Sequence, residues 1–343
     1  MQTNYKIETI AGRGLTAFGA VAALLLAAPL SGQNLRTWVS THGSDQNNCT
    51  IAAPCRTFQH AHDATALFGE IDVLDPGEYG PVVISKSLTI DAANMGYIES
   101  PTPSSPPQSL VAVSGAPSSV TLRNLSIRGP ANAAILWTSG GYLSIEGVSI
   151  DGLGNGSQSG DLGIFGLGNG IAAYNLPAIT VRPVNGQPTV NPVLVVKDVV
   201  LRNVSYGMQL SGHIVAANPV QWLPTGLSAV VDHATIENTE IGIYLGSGNL
   251  HVTHSVIAHG IVTGINCDSN PGGEVNLEDS SIVYANTAMQ SNGSSCLMRI
   301  AGNNIHDNET GLLATGGQIV SFGNNRIQGN GTDGTPTSTA GLK

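Results

Sequence analysis

Ala229 to Gly248 reads AVVDHATIENTEIGIYLGSG, and this stretch decides the fold because its pattern recurs. Counted from Val231, an apolar residue is followed two places on by a polar turn residue, five places on by Ile or Leu, and then by a Gly-apolar strand. The phrase starts again at Val252, Leu277, Ile300 and Phe322, after steps of 21, 25, 23 and 22 residues, and earlier at Leu122, Ile145 and Val196. The fifth place holds Ile127, Ile150, Leu201, Ile236, Ile257, Ile282, Ile305 and Ile327. A unit this short cannot bury its own apolar face, so copies must stack as coils of a solenoid. Alternation along short strands sends Ala229, Val231, Ala234, Ile236, Ile243 and Leu245 inward. The next coil then lies about 4.8 Å away through parallel hydrogen bonds. The expected fold is all-β, a parallel β-helix with coils of ~21–25 residues.

With this repeat the chain resembles the right-handed parallel β-helix proteins of the pectin-lyase-like superfamily, over nearly all of its length after the first thirty-odd residues. Residues 36–68 add to the resemblance with a short strand, the G-S-D-x-N loop of 43–47, the P-x-x-T-F segment of 54–58 and then a helix. The phrase Val73-Leu74-Asp75-Pro76-Gly77-x-Tyr79 is similar to the first coil of that superfamily. The resemblance implies a polysaccharide held on the sheet built from the Gly-apolar strands. A leucine-rich repeat would need an LxxLxL signature, and a propeller blade about 40 residues or more per repeat. Phe58, Ala61, Ala64 (or Thr65) and Leu67 (or Phe68) share one helical face, which is expected to cap the first coil as an N-terminal α-helix.

Lys6 and Arg13 precede an apolar run from Leu15 to Leu30, and polar sequence begins at Ser31. Residues 1–32 therefore read as an export signal, too short for a membrane span. No second run of spanning length follows, so the destination is secreted, periplasmic or cell-surface. The net charge is −10, charged residues are 10% of the chain and Gly accounts for 43 of its 343 residues. Without a basic patch, nucleic acid is an unsuitable partner. Four cysteines in an exported chain favour two disulfides. Cys49 and Cys55 would close a small loop, while Cys267 and Cys296, about one coil apart, would meet across neighbouring coils.

The body of the helix spans 71–328 after an N-terminal strand and cap at 33–70, with insertions at 151–169, 174–192 and 211–227. Long loops flanking one sheet of a rigid scaffold form the walls of a groove. On that sheet the outward positions are Leu136, Ala172, Gln209, Tyr244, Asn266, Gln290 and Leu313. They include no carboxylate, Lys, Arg or His. The catalytic phrases of polygalacturonases (N-T-D, paired Asp, G-H-G, R-I-K) are absent, so that resemblance stops at the fold. Amides at Gln209, Asn266 and Gln290 suit sugar hydroxyls, and Tyr206, Tyr244 and Trp222 suit stacking on sugar rings. The expected ligand is a polysaccharide or cell-surface glycan. The second reading is a polysaccharide lyase or related carbohydrate-active enzyme using the rim groups Asp161, His213, Glu240 and Asp268. A third is a purely structural or adhesive role.

No cofactor is expected, although the 151–161 segment, rich in oxygen ligands, suits Ca²⁺. No metal site is assigned either. His233 and His254 share a turn position with Asn124, Asp198, Asp279 and Asn324, which makes them rungs of a polar turn ladder. Arg128, Asp151, Arg202 and Glu237 should form a ladder of surface ion pairs. The 329–343 tail lacks apolar periodicity and is expected to fray, leaving an open C-terminal edge on which a second subunit could dock.

Overall fold

The computed structural model describes residues 34–99, 109–115, 117–129, 133–138, 140–152, 169–174, 192–211, 213–216, 221–224 and 226–341. The expected export segment, Asp161 and most of the first two insertions lie outside them. Three short strands make up each coil, and each pairs in parallel with its counterpart one coil away. The first sheet runs from Thr65–Val73 through Leu88–Asp91, Ser119–Arg123, Tyr142–Glu146, Val193–Lys197 and Ser228–Asp232 to Leu297–Ala301 and Gln318–Ser321. The second carries Gly96–Glu99, Ser126–Arg128, Ser149–Asp151, Ser281–Val283 and Asn304–His306. The third carries Val82–Ile84, Val111–Val113, Ala133–Trp137, Asn169–Tyr174, Thr287–Asn292 and Thr310–Thr315. Thr235–Thr253 and Val256–Glu278 are long because the pairing continues around the corners from sheet to sheet. The fold is a parallel β-helix.

The repeated Ile or Leu forms one column in the second sheet, in register from Ile98 through Ile127, Ile150, Leu201, Ile236, Ile257, Ile282 and Ile305 to Ile327. Ile127 through Ile305 are almost wholly buried, each such side chain contributing about 1.5–3 kcal/mol. The glycine that opens the third-sheet strand is fixed by the same column. A Cβ on Gly242 would lie 2.5 Å from the Gly264 carbonyl oxygen and 2.7 Å from Ile257 Cγ2. The turn after the first sheet needs a left-handed residue, and Asn124, Asp198, His233, His254 and Asp279 all adopt positive φ there, at 45–55°. Short polar side chains tolerate that region best among non-glycine residues.

The helix is Phe58–Ala64, capped by Thr57, with Phe58 and Ala61 buried. Leu67 and Phe68 do not extend its face, because the chain turns into a strand at Thr65 and both side chains are exposed there. The last coil also departs from expectation. Ile300 pairs with Ser321, so the rung starts one residue before Phe322, and Gly323 rather than Asn324 takes the positive φ. From Gly329 to Gly341 the tail is docked rather than frayed: Ser338–Thr339 pairs with Val320–Ser321, and the Thr337 hydroxyl bonds both ways to the Ile319 backbone. Both expected disulfides are present, Cys49 to Cys55 and Cys267 to Cys296.

Two internal polar columns, not foreseen in the sequence, tie the later coils together. Ser255 Oγ accepts from Ala234 N, Ser280 Oγ from Ser255 N, Asn303 Oδ1 from Ser280 N and Asn325 Oδ1 from Asn303 N. At the next corner Asn308 Oδ1 accepts from Ala285 N, and Asn330 Oδ1 from Asn308 N. Each coil thus donates a backbone amide to a side chain of the coil above, satisfying a group that burial would otherwise orphan. The expected surface ladder is partly formed. Arg128 pairs with Glu99 and Arg202 with Glu237, while Asp151 accepts from the Asn203 side chain.

Candidate functional site

The outward column of the third sheet is continuous. Val83, Ala112, Leu136, Ala172, Gln209, Tyr244, Asn266, Gln290 and Leu313 occupy one register, coil upon coil. Their strand neighbours Met208, Leu210, Ile243, Leu245, Ile265 and Cys267 are buried, so alternation presents the column to the outside. Gln209, Tyr244, Asn266 and Gln290 therefore stand on adjacent coils, with rungs about 4.8 Å apart.

The amides are organised by hydrogen bonds. Asn292 Nδ2 donates to Asn266 Oδ1 at 3.1 Å, Gln290 Nε2 donates to Asn292 Oδ1 at 3.1 Å, and the Thr263 hydroxyl reaches Gln290 Oε1 at 3.4 Å. Thr315 also donates to Asn292. Asn292 joins the groove without having been expected. It stands two residues beyond Gln290, and the same alternation that selected Gln290 points to it.

Tyr206 and Tyr244 form an edge-to-face pair with ring centroids 6.1 Å apart. The Tyr244 hydroxyl donates to Asp268 Oδ2 at 2.8 Å. Partial burial, together with the nearby charge of Glu240, pushes the Tyr206 hydroxyl above the usual phenol range. A line Glu240, Tyr206, Tyr244, Asp268 thus runs along the groove. It also keeps the two carboxylates apart. Glu240 immediately precedes Ile241, which pairs with Thr263, and Asp268 immediately follows Cys267, which pairs with Leu245. They stand at opposite ends of the groove strand, Glu240 before its first residues and Asp268 after its last. Paired glycosidase carboxylates stand at about 5 or 6.5–9.5 Å.

His213 and Trp222 lie in a two-stranded antiparallel hairpin, His213–Ala216 with Gln221–Pro224, built by the third insertion. The sequence reading gave that segment no internal structure. Its second strand approaches the long strand Val256–Glu278. Asp161 is outside the described residues.

No family model and no curated protein matches the chain. Solved structures distantly similar in fold include two carbohydrate-active proteins. One is the GH136 lacto-N-biosidase from Eubacterium ramulus, at 11% identity and a TM-score of 0.44, covering 90% of this chain and 67% of that one. The other is the A-module of the Azotobacter vinelandii mannuronan C-5 epimerase AlgE6, at 12% identity and a TM-score of 0.39, covering 89% of this chain and 87% of that one.

Two groups of His, Cys, Asp or Glu among the described residues are compact enough for a metal ion. Cys49, Cys55 and His60 form the first, but its sulfurs are spent on a disulfide. Asp232, His233 and His254 form the second, at the turn between the first and second sheets. In the capping helix His62 is buried, and its Nε2 accepts from Ser85 N at 3.2 Å. That burial, against an opposing bond to Asp63, pushes the imidazole below its usual range and suits a structural role. No described helix is long and apolar enough to cross a membrane.

Proposed function

We propose that this is an exported protein that binds an uncharged glycan along the outer face of the third sheet. The observation that carries the reading is the aromatic pair Tyr206–Tyr244 between two carboxylates, set beside the Gln209, Asn266, Gln290 and Asn292 amides. Tyrosine rings supply apolar faces with a polar tip, and amides supply both a donor and an acceptor to each hydroxyl. Described strands of the third sheet carry no Lys, Arg or His. Glu240 and Asp268 would therefore repel a uronate chain and accept hydrogen bonds from a neutral one. Two disulfides suit an oxidising, extracytoplasmic compartment.

The test is calorimetric titration of the mature protein with neutral oligosaccharides (gluco-, xylo- and chito-series) and with oligogalacturonate and oligomannuronate. Heat is expected from at least one neutral series and none from the uronates. Tighter binding of a uronate, or release of unsaturated product from one, contradicts the proposal.

A further inference from the structure

A second site of different chemistry lies on the turn between the first and second sheets. Asp232 Oδ1 sits 2.9 Å from His233 Nδ1 and 2.9 Å from His254 Nδ1. The two imidazoles stack with centroids 4.9 Å apart and planes inclined by 23°, and the three ligand atoms all lie within 4.8 Å of one another. The two histidines come from consecutive coils, in turns that both hold positive φ, 55° and 47°. Stacking of coils therefore enforces their approach. The Thr253 hydroxyl also donates to Asp232 Oδ1, at 2.9 Å, and orients the carboxylate. All three side chains are 29–55% exposed, which leaves an entry path and room for water ligands.

We infer that Asp232, His233 and His254 form a binding site for a divalent transition-metal ion of the Zn²⁺ class, clipping two adjacent coils together. Two donor-atom edges of 2.9 Å and a third within 4.8 Å can surround an ion with metal–ligand bonds of about 2.0–2.2 Å, and two imidazoles with one carboxylate are ordinary ligands for such an ion. Loading requires no net proton release from neutral imidazoles, because each ring can shift its proton from Nδ1 to Nε2. Lys197 pairs with Asp232 one coil below and opposes a cation, whereas Asp198 and Asp279 occupy the turn positions flanking the two histidines and favour one. Elsewhere His306 meets Asp307 at 2.8 Å as an isolated pair, lacking the second imidazole.

Titration of the metal-free mature protein with Co²⁺, followed by visible absorption, and competition with Zn²⁺ test the site. Saturation at about one equivalent is expected, weakened at least ~10-fold in both His233→Asn and His254→Asn. Asparagine tolerates the left-handed turn, and circular dichroism confirms the fold of each variant. Zn²⁺ should also raise the melting midpoint of the natural protein and not that of the double variant. His306→Asn should leave the titration unchanged. No saturation up to ~1 mM, or equal binding by the double variant, overturns the inference.

Discussion

Two outer faces of one scaffold have been given opposite chemistry. Along the first sheet the outward column at the strand ends reads Asp72, Asp91, Arg123, Glu146, Lys197, Asp232, Thr253 and Glu278 in register. It closes on itself in ion pairs such as Arg123–Glu146 at 2.9 Å, and Arg299 pairs with Glu274 on the same sheet. Along the third sheet the equivalent column holds amides, Tyr244 and aliphatics, with no charge. Buried apolar columns support both. Outward residues are therefore free of folding duty, and what they carry marks what each face meets. Ion pairs at the surface contribute little to stability; the amides and tyrosines are the groups on which the proposed glycan binding rests.

If both faces are layers on a shared interior, the largest loss must come from beneath them. Asn303 is 1% exposed, accepts from Ser280 N and donates to Leu277 O and Asn325 Oδ1. Asn303→Ala strands these buried groups and should cost about 2–4 kcal/mol in urea unfolding. A cost below 1 kcal/mol would show that the polar column is ornamental.

Next in size is an acid sensitivity that belongs to neither face. His62 has a folded-state pKa below its unfolded value because burial disfavours the charged ring. As pH falls through ~6.5 the unfolded chain takes up a proton that the folded chain refuses, so stability declines toward pH 5. Asp75 acts lower down. Burial works against its ionisation, but donors from Ser40, Thr41 and Tyr79 prevail and hold it below the usual carboxylate range. Its contribution is present above that range and is lost as pH falls through its folded value. Urea midpoints from pH 8 to 5 should drop for the natural protein and stay flatter for His62→Gln. Equal slopes would move the sensitivity to the charged face.

The smallest effect is expected on that charged face itself. Arg299→Ala breaks a half-exposed pair with Glu274 and should change stability by less than about 1 kcal/mol, as read from the thermal midpoint. A larger loss would mean that the first sheet depends on its ion pairs, and the contrast between faces would weaken.

The coil period and the inward columns were readable because one Ile or Leu recurs at a fixed place and burial leaves it little choice. Reading failed where one residue could serve two environments. Ser321 replaced an apolar rung and shifted the last start by one. Asn303 and Asn308 carry no sequence signal that sets them apart from the many other asparagines, although both are buried and bonded between coils. Leu67 and Phe68 fitted a helical face, but the helix had ended. In the groove, alternation gave the column, whereas the bond from Tyr244 to Asp268 depends on how far a side chain reaches across a coil. The approach of Asp232 to both histidines is not legible in the repeat, because His233 and His254 lie in the turn column and the carboxylate between them belongs to the sheet.

Calorimetry of a neutral oligosaccharide against the natural protein, Tyr244→Ala and Arg299→Ala, each shown folded by circular dichroism, tests the division of labour most directly. Tyr244→Ala should weaken binding at least ~10-fold, about 1.4 kcal/mol, with Arg299→Ala indistinguishable from the natural protein. Binding that survives Tyr244→Ala and fails in Arg299→Ala would place the ligand on the charged face and contradict the assignment.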